Sequence, residues 1–200
     1  MYPLVETIRS DNGVLNNLEL HNERMMRTLS DLFGLKKVID LERIISVPGS
    51  AMNGVYKCRV EYDSEIRKTE FIPYTLKIVT SLKIVEDNTI KYSHKFTDRR
   101  VIEKLVEKRE DCDDILIIKN GFITDTSYAN VILREFNGVW HTPSSYLLPG
   151  TRRASLLRQG RIIESRIRLR DLKNYTELKL INAMICMDDT EGIPMRKIIS

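Results

Sequence analysis

The stretch that most constrains the fold is Asp114-Ile115-Leu116-Ile117-Ile118-Lys119-Asn120-Gly121-Phe122-Ile123-Thr124-Asp125. Asp114 to Ile118 is a nearly continuous apolar run and reads as a strand. Asn120-Gly121 can take positive φ at both turn positions, so the chain is expected to reverse there into a second strand. A second strand pair is expected around Asn137-Gly138, from Val131-Ile132-Leu133 to Gly138-Val139-Trp140-His141-Thr142. A further buried strand is read at Leu178 to Met187.

Around this β-rich region the pattern is mixed. Leu4 to Arg9 reads as a strand closed by Ser10-Asp11-Asn12-Gly13. Asn17 is placed to cap a helix whose Leu18, His21, Met25, Leu29 and Leu32 share one face, and Gly34 stops it. Leu41 to Val47 is a second helical piece before Pro48-Gly49. Strands follow at Gly54 to Tyr62, Lys68 to Tyr74 and Leu76 to Val85, and Pro73 interrupts the series. A boundary there divides a small N-terminal domain, 1–73, from a larger one, 74–200. In the second half, helices are expected over Asp98 to Arg109, Thr151 to Gln159 and near Asp171 to Tyr175, with a strand at Ile162 to Leu169.

Composition narrows the function. The net charge of +4 is spread along the chain and gives no argument for nucleic acid. The densest basic stretch, Arg152 to Arg170, alternates with apolar residues and reads as a solvated face that could also attract an anionic substrate. The three cysteines are odd in number and widely spaced, as expected of reduced thiols in a cytoplasmic protein. No apolar run reaches the roughly 20 residues of a membrane span, and Met1 to Glu6 lacks signal-peptide character. His21, His94 and His141 have no partners at metal-ligand spacing, so no metal site is expected. There is no P-loop, no Gly-x-Gly-x-x-Gly and no Gly-x-Ser-x-Gly.

A few residues point to chemistry. Lys95 lies between a β-prone segment and a helical pattern, flanked by Tyr92 and Phe96. Partial desolvation would make its neutral amine a nucleophile for an aldehyde; the alternative is one more surface lysine. Arg24 is either a solvated helix arginine or part of an anion site. Leu148-Pro149-Gly150-Thr151-Arg152-Arg153 is either an ordinary turn or a phosphate-binding helix start. Asp125 is either a turn aspartate or the partner of a protonated ring nitrogen. Asn182, polar inside an apolar strand, either closes a loop or faces a site.

These segments stand in a recognisable order. Val5-Glu6-Thr7-Ile8-Arg9 and Leu20-His21-Asn22-Glu23-Arg24-Met25 resemble the paired opening motifs of class IV aminotransferases, the fold-type IV pyridoxal-phosphate enzymes. His94-Lys95-Phe96-Thr97-Asp98-Arg99 resembles their Schiff-base lysine segment. Gly121 to Val131 resembles their Gly-x-(Ile/Val)-Thr-Glu stretch and the Asn-(Ile/Leu) after it. Trp140-His141-Thr142-Pro143 and Leu147 to Arg153 resemble their Thr-Pro and Leu-x-Gly-(Ile/Val)-x-Arg signature.

The resemblance implies an α+β fold, with a small N-terminal α/β domain and a larger C-terminal β-barrel-like α/β domain. It implies pyridoxal 5'-phosphate as cofactor. Lys95 would carry it, Arg24 and the backbone of Thr151 and Arg152 would bind its phosphate, and Asp125 would hold its ring nitrogen. Arg99 stands where many transaminases have a tyrosine, and Asn182 and Ala183 match the last substrate-and-phosphate loop. Position 125 is Asp where the family has Glu, and the first domain is shorter than is usual. Arg99 and Asn182-Ala183 lean toward the 4-amino-4-deoxychorismate lyase branch. Transamination of a branched-chain or D-amino acid is the alternative, and a non-catalytic partner subunit keeping the fold is a second. Arg99 and Arg153 are the candidates for substrate carboxylates, the other reading of Arg153 being a solvated helix arginine. A homodimer is implied, with residues 54–74 as the contact.

Overall fold

The structure, a computed structural model, describes residues 3–200. Met1 and Tyr2, part of the stretch read for signal-peptide character, lie outside the described residues. The chain forms two compact units, Met1–Leu76 with His94–Asp98, and Lys77–Ser93 with Arg99–Ser200.

The first unit contains β1 (Leu4–Asp11), β2 (Val14–Leu15), α1 (Leu18–Phe33), α2 (Leu41–Ile44), β3 (Val55–Tyr62) and β4 (Ile66–Pro73). Its sheet is antiparallel in the order β2-β1-β3-β4. Asn12 and Gly13 both take positive φ, 47° and 82°, so the β1–β2 turn is tight. Asn17 precedes α1 in the left-handed region and makes no side-chain cap bond. Gly34 ends α1 as expected, its left-handed φ of 66° allowing its N–H to return to the Leu29 and Ser30 carbonyls. Strand alternation turns Leu4, Glu6, Ile8 and Ser10 of β1 inward. The buried face of α1 carries Leu20, His21, Arg24, Met25, Thr28 and Leu29. Leu4, Ile8, Met25, Leu29, Cys58, Val60 and Tyr62 form one core cluster. A glutamate therefore sits in the middle of an apolar strand face.

The lysine segment lies with the first unit, apart from the residues on either side of it in the chain. Val5 N–H donates to the Lys95 carbonyl (2.9 Å) and Thr97 N–H to the Pro3 carbonyl (2.8 Å). Leu4 and Phe96 form a β-bridge, and Phe96 packs on the first unit's core. β2 pairs with β1 only at Ser10 and Asp11. The other end of that edge is covered by His94–Asp98, which joins the first unit although it lies far along the chain.

The second unit contains β5 (Leu82–Glu86), α3 (Arg100–Val106), β6 (Asp114–Lys119), β7 (Phe122–Thr126), β8 (Asn130–Glu135), β9 (Trp140–Pro143), α4 (Thr151–Arg158), β10 (Ile163–Ser165), β11 (Tyr175–Ile181), β12 (Ile193–Pro194) and β13 (Ile198–Ile199). Its mixed sheet runs β10-β9-β8-β7-β6-β5-β13, with β11 on β8 and β12 on β11. β6 is covered on both faces, as its apolar run demands: Leu116 and Ile118 join Leu82, Val131 and Leu178, while Ile115 and Ile117 join Ile102 and Leu105 of α3. Asn120 and Gly121 take φ of 52° and 76°. β7 and β8 share the single rung Asp125↔Asn130.

Several elements are shorter than the sequence suggests. The expected strand at Ile162 to Leu169 is reduced to β10, and the helix near Asp171 is a 3-10 turn, Leu169–Asn174. The strand read as Leu178 to Met187 runs Tyr175–Ile181, because Asn182 starts a turn. The piece at Leu41 stops at Ile44, and of Leu76 to Val85 only Leu82 onward is strand. The three cysteines are free thiols, and burial pushes Cys58 up to about 12. Among the described residues no helix is long and apolar enough to cross a membrane, and no side-chain cluster could hold a metal ion.

Candidate active site

In the first unit the polar centre is Glu6, fully buried on β1 beneath α1. His21 and Arg24 are three apart on α1, so both reach the same point of the strand. Arg24 Nε donates to Glu6 Oε1 (2.9 Å) and Nη2 to Oε2 (2.5 Å), a bidentate pair that fixes the guanidinium plane. His21 Nδ1 lies 2.5 Å from Oε2. Burial alone would raise the Glu6 carboxyl; the Arg24 charge and the His21 bond outweigh it and hold it at about 2. For His21, burial outweighs the pull of Glu6, and Arg24 and Lys95 lower it further. The imidazole is neutral, and its Nδ1 carries the proton, because an ionised carboxylate can only accept. Lys95 is thus close enough in this unit for its charge to be felt at His21. Arg24 is 5% exposed, which rules out the solvated-helix reading.

In the second unit the counterpart is Asp125, also buried. Its Oδ1 accepts from Asn130 Nδ2 (2.8 Å), and its Oδ2 accepts the backbone N–H groups of Leu147 and Leu148 (both 3.0 Å). Asn130 Nδ2 also donates to the Leu148 carbonyl (2.9 Å). The Asp125↔Asn130 rung and the turn before α4 are therefore one hydrogen-bonded block. Burial raises the Asp125 carboxyl to about 6, and the three neutral donors and the more distant Arg153 charge only reduce that rise.

That block fixes the start of α4. Gly150 precedes the helix without a side-chain cap, and a Cβ there would strike the Asn130 side-chain oxygen. The first intrahelical bond runs from Ala154 N–H to the Gly150 carbonyl. The N–H groups of Thr151, Arg152 and Arg153 thus precede the intrahelical ladder, where the helix dipole favours an anion. Arg152 Nε is buried with no hydrogen-bond partner among the described residues.

Four further sequence candidates fall in the second unit. Arg99 precedes α3 and donates to the Ser127 carbonyl (2.6 Å). Asn182 closes its own loop: Oδ1 accepts from Met184 N–H (2.8 Å) and Ile185 N–H (3.0 Å), and Nδ2 donates to the Tyr128 carbonyl (3.3 Å). Ala183 is the tip of that turn. Arg153 is not solvated: it is 5% exposed, donates to the Pro143 carbonyl and to Glu164, and lies over the Tyr146 ring at 4.2 Å. The expectation that Arg153 meets a substrate carboxylate is thereby weakened, since its guanidinium already serves the turn before α4.

Sequence reasoning passed over Glu6 and Asn130. Both stood inside motifs, yet neither was given a role. The available signal was a charged residue on the same parity of β1 as the apolar Leu4 and Ile8.

The Amino-transferase class IV family model matches residues 56–188. The chain belongs to the class IV aminotransferase family. An uncharacterized protein of Haemophilus influenzae is 39% identical over 92% of this chain and 98% of its own. A crystal structure from Haemophilus somnus 129PT, provisionally named a 4-amino-4-deoxychorismate lyase, is 36% identical with a TM-score of 0.87, covering 94% of this chain and 98% of that one. The branched-chain amino acid aminotransferase from Escherichia coli shares the fold at 15% identity and a TM-score of 0.71, over 98% of this chain and 76% of its own. The class IV fold, mixed α+β with two sheets, is therefore shown; a hypothetical aminotransferase from Mycobacterium tuberculosis, in its PLP-bound form, shares it at 16% identity and a TM-score of 0.76, over 98% of this chain and 81% of its own.

Proposed function

We propose that this chain binds pyridoxal 5'-phosphate and acts as a 4-amino-4-deoxychorismate lyase, releasing pyruvate and 4-aminobenzoate. The observation that carries the cofactor half is Asp125, a buried carboxylate held by three neutral donors with no cation in hydrogen-bond contact among the described residues. A protonated pyridine nitrogen is the partner such a group fits. The start of α4 and Arg24 suit a phosphate, and Lys95 suits an aldehyde. The lyase half rests on the likeness to the Haemophilus somnus structure and on Arg99 and Asn182-Ala183.

The bound cofactor would supply the electron sink for bond cleavage. Lys95 would hold it covalently and then carry a proton from the substrate's α-carbon. Asp125 would keep a proton on the ring nitrogen, and as the shorter homologue of the family's Glu it reaches with one methylene less. Arg24 and the N–H groups of Thr151 and Arg152 would fix the phosphate, with Ala183 at the tip of a rigid turn beside the substrate. Arg99 would face a substrate carboxylate, its planar fork suiting that group.

A homodimer and a cytoplasmic location belong to the same proposal. β4 is an edge strand of the first sheet, which motivates residues 54–74 as the contact. Sedimentation at assay concentration should give a dimer, and a fully active monomer would refute it. The reaction is tested with aminodeoxychorismate supplied alone, when pyruvate and 4-aminobenzoate should form over many turnovers. Turnover only with an amino acid and 2-oxoglutarate together would replace the lyase by a transaminase. No turnover in either assay would leave the partner-subunit reading.

A further inference from the structure

We propose that Glu6 is a positioning residue, an internal counter-ion that keeps Arg24 buried and aimed in the cofactor-free chain and thereby limits how tightly the site holds a phosphate. The inference rests on the proposed role of Arg24 as a phosphate ligand and adds a residue to it.

Glu6 is fully buried, His21 is 1% exposed and Arg24 5%. A guanidinium so placed needs a negative partner, since an uncompensated buried charge is strongly destabilising. Glu6 is that partner, through the Nε and Nη2 edge of Arg24. Side-on binding fixes the plane of the guanidinium and directs its Nη1 edge away from the carboxylate. His21 adds a third donor to Glu6, so the carboxylate cannot swing to another partner without breaking that bond. Three side chains thus define one orientation of Arg24 before any ligand arrives.

The same charge acts against the ligand. A phosphate reaching the far edge of Arg24 meets a cation already neutralised from behind, and it is repelled by Glu6 through a medium of low dielectric. The chain gains a preformed site and gives up part of its affinity for the anion. Removing the charge of Glu6 should therefore reverse the trade: a less stable empty protein that binds phosphate more tightly.

The test compares Glu6→Gln, Arg24→Gln and wild type by thermal shift and by titration with inorganic phosphate, pyridoxal phosphate and unphosphorylated pyridoxal. Glu6→Gln should melt lower without ligand, bind inorganic phosphate and pyridoxal phosphate about tenfold more tightly, and bind pyridoxal as wild type does. A merely structural Glu6 would shift all three ligands alike. Recovery of folded Glu6→Gln only when phosphate is present supports the inference; equal loss with and without phosphate overturns it. Unchanged or weaker phosphate binding by Glu6→Gln, with clear weakening in Arg24→Gln, overturns it and leaves Arg24 as a phosphate ligand. Unchanged phosphate binding in Arg24→Gln overturns both.

Discussion

Glu6 in the first unit and Asp125 in the second are both buried, and each accepts three hydrogen bonds from the described residues. Their acidities nevertheless move in opposite directions, Glu6 to about 2 and Asp125 to about 6. Burial opposes ionisation at both sites. What differs is the donors: Glu6 is met by a guanidinium, whereas among the described residues Asp125 is met by an amide side chain and two backbone N–H groups. Neutral donors do not offset full desolvation here, whereas one well-aimed cation does. Glu6 is thus a completed ion pair. Asp125 has the electrostatics of half of one, and that is why a cationic ring nitrogen suits it.

The comparison is broken most severely by Glu6→Ala. Removing the buried carboxylate that meets the buried Arg24 guanidinium should cost about 3–5 kcal/mol of stability, measured by urea unfolding; a loss below about 1 kcal/mol would mean that Glu6 is not what compensates the Arg24 charge.

The pH dependence of stability separates the two carboxylates by sign. The Glu6 carboxyl is lowered from 4.5, so its contribution is present above that pH and is lost as pH falls toward about 2. The Asp125 carboxyl is raised from 3.8, so its contribution is present below that pH and is lost as pH rises through about 6. Each is worth on the order of 3 kcal/mol across its window. In the cofactor-free chain Asp125→Asn should remove the decline between about pH 4 and 6 and leave the acid limb intact. A decline that persists in the variant would assign it to another group.

With cofactor and substrate, Asp125→Ala should keep the covalent link at Lys95 yet cut turnover by about 10²-fold or more. Borohydride reduction and peptide mapping read the link; an unchanged rate would mean that the ring nitrogen is held otherwise.

Gly150→Ala should destabilise the second unit by about 1–3 kcal/mol, since its Cβ would push Asn130 away from Asp125. The smallest effect is expected at Arg43, whose pair with Asp40 is exposed. Arg43→Ala should change stability by about 0.5 kcal/mol or less, and a larger effect would show that exposed pairs of this chain are not the negligible control they should be.

Much of this was legible in the sequence, and the exceptions have physical reasons. The Asn120-Gly121 and Asn137-Gly138 hairpins and the Gly34 stop were readable because positive φ demands particular residues at those points. β12 and β13, two residues each, leave no periodicity to read. The strand at Leu178 was misjudged at both ends: Tyr175 pairs with Glu135 across a bulge, and Asn182 looks like one polar residue in an apolar run until its side chain is seen closing the turn. Arg24 and Asp125 were found through their motifs, whereas Glu6 was not, because a charged residue on a strand looks exposed unless its parity is weighed against the helix above it. The place of Lys95 in the first unit depends on two backbone hydrogen bonds to Pro3 and Val5 neighbours some ninety residues away, to which local pattern is blind.

The most direct test of the unpaired carboxylate is the titration of Asp125 itself, followed by carboxyl 13C NMR with and without pyridoxal phosphate. Without the cofactor its pKa should lie near 6, and with the cofactor it should fall below its ordinary value of 3.8 as the ring nitrogen becomes its cation. A cofactor-free pKa near 3.8, or a value that pyridoxal phosphate does not move, would contradict the account.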